Sequence, residues 1–370
     1  MKSPLTLLLV TLIPLVGFAQ TDSASLTATP SRTFHKGRFA AVVATEAALY
    51  AGTMAYLNFI WYKDVPRVPF EFYNDGKGYL QVDKFGHAYG AYLESYVGYR
   101  ALRWSGASKK KALLYGGTLG FLLQSPIEII DGFYEGWGFS WSDMAANAVG
   151  SSLVIGQELL FDEQIMKYKF SFRRSPYSKQ ANGYLGTTFA GQILQDYNAH
   201  TYWFSIGLNR IIRSERIPDW LNVAVGYGAN GMFGEFENIN RWGSVIIPPT
   251  QRYRQFLFSL DIDWTKIKTK NRFLNQVFQS MFMIKLPFPA LEINTLNGFR
   301  SLWNLLLIEV GSYLSLYRKK WHQHQSQIQE EPVWRNKYQI RCISSPHDEK
   351  YKHKLLPVRD RYSTLLLHPP

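Results

Sequence analysis

The sequence predicts an α+β protein: an N-terminal helical bundle, membrane-embedded or membrane-apposed, followed by a mixed strand-containing lobe and a basic tail. Three observations carry this reading. Residues 37–165 are rich in apolar and small residues at helical spacing, and polar residues recur among them on one side. From about residue 182 the period shortens, and apolar and polar residues partly alternate over strand-like lengths. After residue 298 the composition turns polar and basic with no steady period. The expected divisions are a signal peptide (1–19), a flexible leader (20–36), the bundle (37–165), a mixed lobe (166–300) and a tail (301–370).

The N-terminus has Lys2, an apolar run over residues 5–16, and the small residues Gly17 and Ala19 before Gln20. This is the three-part pattern of a secretory signal peptide, with cleavage expected near Ala19/Gln20; an uncleaved anchor is the alternative. The run is too short to span a bilayer. The only cysteine is Cys342, so no intrachain disulfide and no cysteine zinc site can form, and no cysteine follows the run to accept a lipid. The net charge of +13 predicts attraction to anionic surfaces. No base-reading motif accompanies that charge, which favours membrane lipid or an anionic envelope polymer as partner and no nucleic acid. Abundant Tyr, Phe and Trp suit either a lipid boundary or an aromatic-rich core.

Residues 37–61 are long enough to cross a membrane but carry Glu46. They form either a membrane helix with one functional carboxylate or a bundle helix. Residues 64–79 are a connector with Pro66, Pro69 and the turn signal Asn74-Asp75-Gly76. A second helix begins near Asp83, whose carboxylate also complements the helix dipole. It stops at Gly106, and Ser108 caps a third helix over residues 112–124, which Pro126 is expected to interrupt. After a glycine- and aromatic-rich loop, Ser140 or Ser142 caps a fourth helix over residues 143–161. In the second half, residues 201–209, 254–263 and 290–294 read as strands. Residues 221–234 fit a strand or a helix, and residues 196–198 read as a turn, with a ligand-contacting loop as the alternative. Residues 272–285 have the composition of a helix lying on a membrane surface.

The chemistry-bearing residues concentrate between 82 and 150. Asp83, His87 and Glu94 share a helix side, Glu128 and Asp131 lie at i, i+3, and Asp143, Asn147 and Gly150 at i, i+4, i+7. This ordered set, Asp-Lys-x-x-His, Glu-x-x-Asp-Gly, then Gly-Phe-Ser-x-x-Asp-x-x-x-Asn-x-x-Gly, resembles the predicted periplasmic lipoprotein (YfiM-like) family of unknown function and, more distantly, VanZ-like membrane proteins. It is carried by Asp83, Lys84, His87, Glu128, Asp131, Gly132, Gly138, Phe139, Ser140, Asp143, Asn147 and Gly150. The resemblance covers under a third of the chain. It implies a helical fold in the bacterial envelope and no particular reaction. The chain departs from the lipoprotein members in lacking the lipid-bearing cysteine.

Read from the residues themselves, His87, Glu128, Asp131 and Asp143 suit a divalent metal held between facing helices. Such a metal could activate water against a lipid or envelope ester or phosphoester. A metal-free version uses His87 as general base oriented by Asp83 or Asp143. The alternative is a buried polar network in which these groups, with Lys84, Glu94, Ser140, Asn147 and Gly150, fix which helices pair. No spacing here is as diagnostic as that of an HExxH zinc motif.

Overall fold

The computed structural model describes residues 33–181 and 183–301; the expected signal peptide, nearly all of the expected leader, and the expected tail after 301 lie outside the described residues. Five helices come first: α1 (Lys36–Tyr56, continued by a π-turn over Leu57–Trp61), α2 (Val82–Trp104), α3 (Lys109–Tyr115), α4 (Leu119–Asp131) and α5 (Trp141–Phe161). The second half holds β1 (Met166–Phe172), α6 (Phe189–Gln195), β2 (His200–Gly207), α7 (Leu208–Ile212) and β3 (Leu221–Asn230). A small hairpin, β4 (Arg241–Trp242) with β5 (Val245–Ile246), precedes β6 (Tyr253–Ile262), α8 (Arg272–Ser280), β7 (Ala290–Asn294) and β8 (Gly298–Ser301). The main sheet is antiparallel in the order β1-β2-β3-β6-β7-β8. The α+β class therefore holds, and residues 221–230, ambiguous in sequence, are a strand.

α2 is the axis of the molecule and is buried along most of its length. Two glycines bring its neighbours against its backbone. A Cβ on Gly150 of α5 would lie 2.1 Å from the Ala88 carbonyl oxygen, and one on Gly120 of α4 would lie 2.0 Å from that of Ala91. Only glycine permits such an approach. The opposite face of α2 is aromatic: Tyr89 packs edge-on against Tyr168 and Phe85 stacks on Tyr227, tying helix to sheet.

The third helix departs from expectation. It is two helices, broken at residues 116–118, where Gly116 and Gly117 lower helix propensity. Pro126 does not interrupt α4, which runs through it to Asp131. In that turn the Ser125 hydroxyl donates to the Phe121 carbonyl at 2.6 Å, and the neighbouring packing holds the helix across the missing N–H. The restart of α4 is stabilised from outside: its Gly120 and Phe121 amides donate to the hydroxyls of Ser95 and Ser151, which are 2.9 Å apart.

Two helical stretches, Lys36–Phe59 and Lys109–Asp131, are long and apolar enough to cross a bilayer. Bundle helices share that composition. The sheet inverts the usual pattern. Its face toward α2 is aromatic, while its other face buries Lys167, Lys169, Ser205, Asn222, Asp261 and Asp263. Lys167 pairs with Asp263 at 2.5 Å and Lys169 with Asp261 at 2.6 Å. The segment after α8 returns to the open edge of β1, where the Lys285 amide donates to Phe170.

Candidate functional site

The site lies at the N-terminal end of α2. The connector delivers it through three consecutive left-handed residues, Tyr79, Leu80 and Gln81 (φ 46°, 50° and 66°), a conformation that costs non-glycine residues energy. Tyr79 is thereby placed in the cavity wall, and α2 begins with Val82, so that Asp83, Lys84 and His87 fall in its first two turns. α5 arrives N-terminus first: Ser140 accepts from the Asp143 amide at 3.0 Å, which caps the helix and sets Asp143 in its first turn facing α2.

Lys84 is the hub of three carboxylates. Its ammonium donates to Asp75 at 2.5 Å, Asp143 at 2.6 Å and Asp83 at 3.0 Å. Burial disfavours the charged ammonium, but Asp83, Asp143 and Asp75 together raise its pKa, so it stays charged. Asp75 also accepts from Ser140 at 2.5 Å and Ser142 at 2.7 Å. Against the desolvation of burial, its bond with Asp143 and the charge of Lys84 hold it well below the usual carboxylate range. Asp83 accepts from the Tyr197 hydroxyl at 2.7 Å.

The two ring nitrogens of His87 face different groups. Nδ1 lies 3.3 Å from Asn147 Oδ1, an acceptor to which an Nδ1–H donates, and 3.4 Å from Glu128 Oε1. Nε2 then presents its lone pair toward Asp143 at 3.7 Å and Asp83 at 3.9 Å. Those distances are too long for hydrogen bonds and leave room for something between. One ligand atom each from Asp83, His87 and Asp143 all lie within 4.8 Å of one another.

The surrounding acids are in excess. Asp75, Asp83, Glu128, Asp131, Asp143 and Glu235 line one cavity with His87, and Lys84 beside them supplies the positive charge. Burial raises Asp143 to about 7, with Asp83 adding and His87 opposing. Burial, then the charges of Asp143, Asp131 and Asp83, push Glu128 well up. Beside His87, Glu128 Oε1 and Asn147 Nδ2 are buried without a hydrogen-bond partner. The cavity volume is about 60 Å³, room for an ion with one or two waters and too little for a lipid.

Of the residues expected from sequence, Asp83, Lys84, His87, Glu128, Asp143 and Asn147 meet here, and Ser140 and Gly150 set the position of α5. The three converging ligand atoms are not those of the set His87, Glu128, Asp131 and Asp143. Glu128 stands on the Nδ1 side of the ring, and the Asp131 carboxylate accepts from Tyr62. Glu94 is not brought in: it lies farther along the same face of α2, beside Gln124 and near Glu46, because eleven helical residues return to one side but advance about 16 Å. Sequence reading missed Asp75, Tyr197, Tyr62 and Glu235. Asp75 carried a signal, but one that read only as a turn.

Residues 71–156 match the model of a family described as predicted periplasmic lipoprotein (DUF2279), a domain of unknown function. The match contains Asp75, Asp83, Lys84, His87, Glu128, Asp131, Asp143 and Asn147. Tyr62, Tyr197 and Glu235 fall outside it. The description suggests export to the envelope, while the expected cleavage point at Ala19/Gln20 lies outside the described residues. Neither a curated protein nor a solved structure matches the chain.

Proposed function

We propose that this chain is a divalent-cation-binding protein of the bacterial cell envelope, with Asp83, His87 Nε2 and Asp143 as ligands. The observation that carries the reading is the orientation of His87: its Nδ1 is paired with Asn147, as an outer partner holds a metal-bound imidazole, and Nε2 is aimed at two carboxylates it does not reach. An acid excess in a small cavity is what a cation would neutralise. Lys84 neutralises part of it and anchors Asp75, Asp83 and Asp143 without closing the gap at Nε2.

The exported location, membrane lipid or anionic envelope polymer as the partner, and the YfiM-like and distantly VanZ-like kinship belong to the same proposal. They are supported by the ordered motif, the basic charge and the N-terminal run. A second reading, hydrolysis or transfer on an envelope ester or phosphoester, is favoured by one observation: Asp143 is held near 7, a value suited to proton transfer.

Metal analysis and calorimetric titration of the purified protein with Zn²⁺ and Mn²⁺, alongside His87→Ala and Asp143→Ala, test the cation reading. One site per chain, lost in both variants while they stay folded, is expected. Variants that unfold, with no cation bound by the native chain, would instead identify a structural polar network.

A further inference from the structure

The far end of α2 has the opposite character. Glu163, just past α5, pairs with Arg210 and with Lys266 (2.9 Å), and Lys109 pairs with Asp162. These contacts gather the α2–α3 loop, the β2–β3 connection and the segment after β6 at one end, where Asp263 also donates its amide to Trp220. The last two segments, residues 208–220 and 263–272, carry seven cations against three carboxylates. Arg213, Arg216, Lys268, Lys270 and Arg272 are exposed, with no carboxylate partner among the described residues. Large apolar side chains stand among them: Phe273 is 68% exposed, Ile212 57%, Ile211 55% and Trp220 40%.

We propose that this end of the molecule docks on an anionic phospholipid bilayer. The inference rests on the reading of lipid as the partner and names the surface that meets it. Cations alone would suit any polyanion. Cations interleaved with exposed Phe, Ile and Trp suit a headgroup layer with acyl chains beneath, where the charges meet phosphate and the rings enter the boundary. α8 contributes directly: Phe273 and Leu274 project from its first turn beside Arg272, and none of its residues is buried. The 23 residues of α2 span about 35 Å, so the His87 cavity opens at the end away from the bilayer.

Sedimentation of the purified full chain with phosphatidylcholine vesicles, with and without phosphatidylglycerol, tests this, with dextran sulfate as a soluble polyanion. Binding should require phosphatidylglycerol and weaken with salt. Each cation removed costs about fivefold in partitioning, so Lys268→Gln/Lys270→Gln/Arg272→Gln should lose on the order of 100-fold. Phe273→Ser should weaken binding at every salt concentration. Lys77→Gln, exposed at the opposite end, should change nothing, and all variants should keep the native melting temperature. Binding that survives the triple variant overturns the surface while leaving lipid as the partner. A chain that binds dextran sulfate and no vesicle overturns both.

Discussion

Two clusters of buried charge in this molecule differ in balance. On the face of the sheet other than the one toward α2, Lys167 meets Asp263 and Lys169 meets Asp261, with Thr265 and Ser205 completing the carboxylates' bonds. Each acid there has its own cation. At the head of α2, one lysine serves three aspartates, Glu128 keeps an unpartnered oxygen, and His87 Nε2 points into a gap. Both clusters desolvate charge at a cost of several kcal/mol per ion. The balanced one repays that internally, whereas the acidic one repays it only in part, and the proposed cation would supply the rest. A closed set of pairs reads as structure and an open acidic one as a site.

The largest effect should come from breaking the balanced cluster. Lys169→Met leaves Asp261 buried without its cation and should destabilise the fold by about 3–5 kcal/mol in chemical denaturation. The double variant Lys169→Met/Asp261→Leu should recover most of that loss. An acid-rich site behaves differently, because removing one of its acids relieves repulsion.

Next in size is a pH effect from the same lobe. Burial lowers His200 to about 4, so it folds neutral, while the unfolded chain takes up a proton below about 6.5. Its contribution is present above pH 6.5 and is lost as pH falls toward 4, on the order of 3 kcal/mol in all. The stability difference between the native chain and His200→Gln, followed across that window, reads this term alone.

Gly150→Ala sharpens the comparison further. The added Cβ meets the Ala88 carbonyl, so α5 must move off α2 at a cost of about 1–3 kcal/mol. Cation affinity should fall with it, since Asp143 rides on α5 and Asp83 and His87 on α2. The smallest effect on stability belongs to His87→Ala, about 1 kcal/mol for its bond to Asn147, accompanied by loss of cation binding in titration calorimetry.

Much of this was legible in residue spacing. Asp83 and His87 announce one helix face, Asp143 and Asn147 another, and the Ser140 cap fixes where the second begins. Small residues on α4 and α5 signalled close packing, which Gly120 and Gly150 supply. Spacing repeats around a helix but says nothing of distance along it, which is why Glu94 was grouped with groups well over ten ångströms away. Proline propensity misplaced the break in the third helix, since tertiary packing carries α4 past Pro126 while the glycine pair before it gives way. Long-range partners were invisible: Tyr197 reaches Asp83 from a turn 114 residues later, and nothing local marks it. The buried polarity of the sheet's other face was also hidden, because alternation fixes two faces without saying which one is covered.

The most direct measurement is the melting temperature of Asp143→Asn against the native chain, with and without Zn²⁺ or Mn²⁺, above the pH of about 7 to which burial raises this carboxyl. If the head of α2 is an open acidic site, the variant melts higher than the native chain without cation, because a buried negative charge is gone, and cation raises the native melting temperature only. A variant that melts lower, beside a native chain indifferent to either cation, would contradict the account and leave Lys84 as the only cation the cluster needs.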